Sequence, residues 1–76
     1  MPQTIITVVI ERGLIFVIID DAETERQHRV MDAEEIASIA NERNVSAENV
    51  YFEECSDGFI HRVRSLIQAN SATTLF

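Results

Sequence analysis

The sequence predicts a small α+β domain: a mainly antiparallel sheet of three or four strands with two helices, in the order β-β-(β)-α-β-α. Two apolar runs near the start, separated by the short segment Glu11-Arg12-Gly13-Leu14, indicate a hairpin. Two later segments repeat apolar residues at helical spacing. The chain has 76 residues, which is enough for one domain. We therefore expect a single domain over residues 1–70 and a C-terminal tail over residues 71–76.

The predicted hairpin is apolar on both of its faces. If Arg12 and Gly13 are the central turn residues, Val8 lies opposite Val17, and opposed residues share a face of the sheet. One face then carries Ile6, Val8, Ile10, Ile15, Val17 and Ile19. The opposite face carries Ile5, Thr7, Val9, Leu14, Phe16 and Ile18. The first face is expected to be the core, and the second is too apolar to remain in water without a covering layer.

A polar strand and a first helix are expected next. The segment Arg26–Val30 is charged, which suits a third strand at the edge of the sheet. Asp32, followed three residues later by Glu35, is typical of a capping box at a helix N-terminus. That helix is expected to end near Arg43, and its apolar positions form one stripe, namely Ala33, Ile36, Ala37, Ile39 and Ala40.

The second half of the domain is expected to hold one more strand and one more helix. Residues 44–49 indicate a connection, and the β-branched and aromatic bias of residues 50–55 indicates a short strand. Ser56 or Asp57 is the expected N-cap of the second helix. Its apolar stripe consists of Phe59, Ile60, Val63, Leu66 and Ile67.

Charge and cysteine content restrict the possible partners. Thirteen carboxylates against six arginines give a net charge of −7, which disfavours direct binding to nucleic acid. The single cysteine allows no internal disulfide, and no apolar run reaches the roughly 18 residues that cross a bilayer. We therefore expect a cytoplasmic protein with no membrane partner.

No motif for catalysis, a cofactor or a metal is recognisable. His28, Cys55 and His61 are too widely spaced for a typical zinc site or a nucleophile with its base. Asp20 and Glu54 could converge at the ends of neighbouring strands, but no calcium-loop spacing surrounds them. The sequence therefore predicts no catalytic, cofactor-binding or metal residues, and a protein that is not an enzyme.

The second apolar face of the hairpin is the strongest functional signal. Two helices can cover one face of a four-stranded sheet, so the other face is expected to form a homodimer with a second copy of the chain, or else to bind another protein. The expected interface residues are Val9, Leu14, Phe16 and Ile18. Complete coverage by the chain's own helices, on opposite faces, is the alternative.

The acidic residues suggest a second surface. We expect a face that binds a basic protein partner, formed by Asp20, Asp21, Glu23, Glu25, Glu34, Glu35, Glu53 and Glu54. In size and charge the chain resembles the small DNA-mimic and phage anti-CRISPR inhibitors, which implies inhibition of a nucleic-acid-binding protein or complex. The alternatives are a structural or assembly subunit of a larger complex, and a small ligand-binding or metal-dependent enzyme.

Overall fold

The computed structural model describes residues 4–73, and the side chains of residues 4–69. The element order confirms the predicted α+β class and makes the third strand definite. The strands are β1 (Ile5–Glu11), β2 (Leu14–Asp20), β3 (Glu25–Val30) and β4 (Val50–Glu53). The helices are α1 (Ala33–Glu42) and α2 (Asp57–Thr73), and a single 3₁₀ turn, Ala47–Asn49, precedes β4.

The hairpin has the predicted register. Val8 pairs with Val17, Ile6 with Ile19, and Glu11 with Leu14 at the turn. Arg12 and Gly13 have φ values of 54° and 78°, as a type I′ turn requires. A Cβ added to Gly13 would meet no atom within 4 Å, so glycine is favoured there by backbone conformation and not by lack of space.

The four strands lie in the order β3-β2-β1-β4. β1 and β2 are antiparallel, as are β2 and β3, whereas β4 runs parallel to β1. β3 forms one edge, as its charged sequence predicted, and five of its six residues are exposed. α1 connects β3 to β4 across the width of the sheet, and this connection allows the parallel pairing.

The N-terminus of α1 is capped as the sequence predicted. The Asp32 side chain accepts a hydrogen bond from the backbone N–H of Glu35 at 3.0 Å. The return bond differs from the standard capping box, because the Glu35 carboxylate accepts from the N–H of Met31 at 3.2 Å. Two backbone donors before and within the first turn are therefore satisfied.

The C-terminus of α1 closes in a Schellman motif. Asn44 has a φ of 56°, the N–H of Val45 donates to Ala40 O at 2.8 Å, and the N–H of Asn44 donates to Asn41 O at 3.2 Å. Val45 is buried, which supplies the hydrophobic contact of this motif. The turn redirects the chain towards the start of β4.

The second helix is longer than predicted. Ser56 is the capping residue, since its hydroxyl accepts from the N–H of Phe59 at 3.2 Å. α2 continues to Thr73, so residues 71–73 belong to the helix and not to the expected tail. Apolar periodicity stops before this last turn, yet no glycine or proline ends the helix there. The rest of the predicted tail, 74–76, lies outside the described residues.

Both helices pack on the same face of the sheet. The core joins the inner hairpin residues Ile6, Val8, Val17 and Ile19 to residues of α1 and α2. The helical residues of this core are Ala33, Ile36, Ala37, Ala40, Val63 and Ile67. The shortest dimension of the Cα trace is 17 Å, consistent with one helical layer on one sheet. The predicted alternative of helices on opposite faces is therefore excluded.

Candidate functional site

The candidate site is the sheet face that points away from the helices, hereafter the outer face. Strand pairing arranges its side chains in rows across the sheet. One row contains Arg29 of β3, Phe16, Val9 and Glu53 of β4, in that order. The next row contains Gln27, Ile18, Thr7 and Tyr51. Leu14 and Ile5 extend the apolar part towards the two ends of the strands.

The centre of the outer face is apolar and accessible. Val9, Phe16 and Ile18 are half-buried, although their neighbours at 8, 17 and 19 are fully buried on the helical side. Leu14 is 38% exposed and Ile5 is 36% exposed. All four predicted interface residues, Val9, Leu14, Phe16 and Ile18, thus lie on one continuous surface. An apolar patch of this kind in a small protein is typical of an interaction site.

Tyr51 belongs to this surface and was not among the predicted interface residues. It is 52% exposed and pairs with Thr7 across β1 and β4. Its place on the outer face depends on the pairing of β4 with β1, which no local pattern in the sequence specifies. An aromatic ring with a polar tip is well suited to a partly wet protein interface.

One row of the outer face ends in opposite charges at the two edges of the sheet. Arg29 lies on β3 and Glu53 on β4, at the ends of the same row. Both residues are exposed. Within the described residues, neither side chain forms an ion pair or a hydrogen bond. In this row the apolar centre lies between a cation at one border and an anion at the other, and Glu11, Asp20 and Glu25 add carboxylates to the rest of the outer face.

The structure does not bring the eight predicted acidic residues together on one face. Asp20 pairs with Ile5, whereas Glu53 pairs with Val9, and these levels lie roughly 13 Å apart along the strands. One group, at the end of the sheet where β2 finishes, contains Asp20, Asp21, Glu23 and Glu25. The other group, at the end where β3 and β4 finish, contains Glu34, Glu35, Glu53 and Glu54. Asp20 and Glu54, which the sequence left free to converge, therefore lie at opposite ends of the sheet.

Several arginines pair within the fold. Arg43 lies 3.5 Å from Asp21, which ties the end of α1 to the β2–β3 turn. Arg62 of α2 pairs with Glu34 of α1. The guanidinium of Arg64 lies 5.2 Å from the centre of the Phe52 ring, on the helical side of the sheet. These contacts use cations from both helices, whereas Arg29 remains available at the outer face.

The histidines and the cysteine are dispersed. His28 is on β3 at one edge of the sheet, and Cys55 follows β4 at the other edge. Burial raises the pKa of the Cys55 thiol, whose sulfur lies 3.3 Å from Glu53 O. A raised pKa disfavours the thiolate that a nucleophile requires. Among the described residues no group of three or more His, Cys, Asp or Glu side chains could hold a metal ion.

A cleft of about 280 Å³ lies between β3 and α1. Opposite charges share its wall, because Glu35 and Glu42 line it together with His28 and Arg43. Arg29 also borders the cleft, as expected for a residue of the edge strand. Within the described residues no polar or charged residue is buried, so the charged groups that line the cleft are accessible to water.

Comparison with known protein families, with curated proteins and with solved structures finds no match to this chain. In the described part of the chain, no helix combines the length and apolar character needed to span a membrane.

Proposed function

We propose that this chain is a non-enzymatic protein–protein interaction module that associates through its outer face. One observation carries the proposal: the outer face has an apolar centre, although both helices pack on the opposite side of the sheet. Burial of apolar surface contributes about 25 cal/mol of favourable free energy per Å², so covering this centre with a second protein surface favours association.

The size of the domain supports the same proposal. A chain of 76 residues hides only roughly 60% of the surface that it exposes when unfolded. Domains this small commonly gain stability by association. The outer face offers a site for such association without any rearrangement of the core.

The test compares the wild-type chain with Phe16→Glu and with Gln68→Glu. Phe16→Glu places a charge at the centre of the outer face, whereas Gln68→Glu adds the same charge to an exposed position of α2. Each protein is studied by sedimentation over a range of concentrations, and each is immobilised to retain proteins from a lysate of its native host. Circular dichroism verifies that both variants are folded.

We expect wild type and Gln68→Glu to associate alike, with themselves or with the same lysate protein, and Phe16→Glu to lose that association. The reason is that a buried, unpaired carboxylate opposes closure of an apolar interface. Identical behaviour of all three proteins would contradict the proposal.

Inhibition of a basic nucleic-acid-binding protein is a second candidate. The observation in its favour is the β2–β3 turn, where Asp20, Asp21, Glu23 and Glu25 place four carboxylates within six residues. Asp21 pairs with Arg43, while Glu23 and Glu25 are exposed. A compact acidic turn of this kind can compete with phosphates for a basic surface.

A charge-matched pair of variants tests this candidate. Glu23→Gln/Glu25→Gln removes two charges from the turn, and Glu42→Gln/Glu48→Gln removes two exposed charges elsewhere. If the turn is responsible, inhibition of a basic nucleic-acid-binding complex at low salt decreases only with the first variant. Equal inhibition by both variants would indicate a general effect of net charge, and no inhibition by wild type would exclude this function.

A further inference from the structure

The geometry points to a second copy of this chain as the partner of the outer face, packed face to face about a two-fold axis parallel to the strands. This inference rests on the proposed function and specifies the partner for that surface. In this arrangement Arg29 of each copy lies opposite Glu53 of the other copy.

The arrangement follows from the row that contains Arg29, Phe16, Val9 and Glu53. A two-fold axis in the interface, midway between β1 and β2, exchanges the two edges of the sheet. β3 of one copy then lies over the partner's β4, and Phe16 lies over the partner's Val9. The apolar centres meet, and the same operation forms two symmetry-related pairs between Arg29 and the partner's Glu53.

The charged borders favour this partner over an arbitrary apolar surface. Arg29 and Glu53 are exposed, stand at the same level of the sheet, and form no ion pair within the described residues. Packed sheets lie roughly 10 Å apart, a gap that an arginine and a glutamate side chain can bridge together. The surface is therefore complementary in charge to its own copy.

A different orientation of the axis gives a different charge pairing. An axis perpendicular to the strands places β3 over the partner's β3 and β4 over the partner's β4. If the axis passes through the row of Gln27 and Tyr51, Arg29 lies opposite the partner's Glu25, which is on the same side of β3, and Glu53 has no arginine opposite it. The two orientations therefore differ in how they respond to a change at Glu53.

The size of the outer face determines the affinity that we expect for the dimer. Four strands of up to seven residues give a face of roughly 20 Å by 23 Å, from the spacings of strands and residues in a sheet. Such an area lies below the roughly 800 Å² per partner of a standard stable interface. We therefore expect a dissociation constant in the micromolar range, weakened by salt because its borders are charged.

Sedimentation equilibrium of the full chain tests the inference with reciprocal charge reversals. The proteins are wild type, Arg29→Glu, Glu53→Arg, an equimolar mixture of these two variants, and the double variant. Phe16→Glu is included to identify the face, and circular dichroism verifies folding. Each variant alone brings like charges together at both borders, whereas the mixture and the double variant restore opposite charges.

The expected result is a dimer for wild type, with dimerisation weakened roughly tenfold or more in each single variant and restored to within about threefold in the mixture and in the double variant. A dimer that Phe16→Glu abolishes, but that Glu53→Arg leaves unchanged, would overturn the inferred orientation and retain the outer face as the interface. A dimer unaffected by Phe16→Glu would overturn both this inference and the proposed use of the face. If the wild-type chain is a monomer at millimolar concentration, the inference that a second copy is the partner is overturned. The proposed function would then require that the outer face binds a different protein.

Discussion

Two neighbouring isoleucines, Ile18 and Ile19, allow a direct comparison of the two faces of the sheet. Both belong to β2, but Ile19 is 1% exposed under the helices, and Ile18 is half-buried on the outer face. Replacing Ile19 with alanine is expected to lower the free energy of unfolding by about 2–5 kcal/mol, because it removes fully buried methyl groups and leaves a cavity. The same change at Ile18 removes a side chain that is only half-buried and opens no enclosed cavity. We expect a loss of about 1 kcal/mol there.

Urea unfolding followed by circular dichroism at about 1 μM protein measures these two losses in a sample where a dimer with a dissociation constant of tens of micromolar is mostly dissociated. If Ile19→Ala is too unstable to fold, Ile19→Val and Ile18→Val provide a milder pair. The buried position is then expected to lose about 0.5–1.5 kcal/mol and the outer position much less. At about 500 μM the effect of Ile18→Ala is expected to increase, because association buries this residue, whereas the effect of Ile19→Ala stays constant. Equal losses at both positions in the dilute sample would refute the reasoning, since they would mean that the chain encloses its own outer face.

Three further predictions concern the helix ends and the thiol. Asn44→Gly should raise the melting temperature by about 2–8 °C, because glycine adopts the positive φ at this position more readily, and Asn44→Ala should lower it in the same thermal scan. Asp32→Ala should lower the free energy of unfolding in urea by about 0.5–2 kcal/mol, because it leaves the N–H of Glu35 without its cap. Burial raises the pKa of Cys55 above its ordinary value of 9.0, so alkylation at pH 8 should be slower in the folded chain than in urea. The unfolded chain loses the thiol proton first, so stability should decrease as the pH rises through and above 9.0, a trend that Cys55→Ser should reduce.

Local sequence signals were sufficient for most of the elements. The turn at Arg12 and Gly13 set the register of β1 against β2, and a one-residue shift would have moved every apolar side chain to the other face. Asp32 marked the start of α1 through the capping bond that it makes. Each of these features depends on residues close together in the chain, so its physical cause can be read before the fold is known.

The arrangement of the outer face depends on contacts between distant segments. The parallel pairing of β4 with β1 puts Glu53 level with Arg29, although 23 residues separate them in the sequence. The sequence therefore identified the apolar centre, which lies within one hairpin, and missed Tyr51 and the two charged borders. The same reason explains the division of the acidic residues. Whether a carboxylate lies at one end of the sheet or the other is decided by strand direction, which composition does not reveal.

Both edges of the sheet are poorly suited to pairing with another chain, which indicates that association uses a face of the sheet and not an edge. β3 presents charged and polar residues on both sides, with Arg26 and His28 exposed on its helical side and Arg29 on its outer side. Charged edge strands disfavour pairing with another chain, because like charges and strong hydration oppose a continuous sheet. β4, at the other edge, has only four residues, too few for an extended new ladder. Each edge thus has a feature that opposes strand addition, whereas the outer face has an apolar centre with Arg29 and Glu53 at the two ends of its central row. A partner that lies flat against the strands buries the most apolar surface of this face. The affinity of the resulting interface should therefore change when Phe16, Arg29 or Glu53 is replaced.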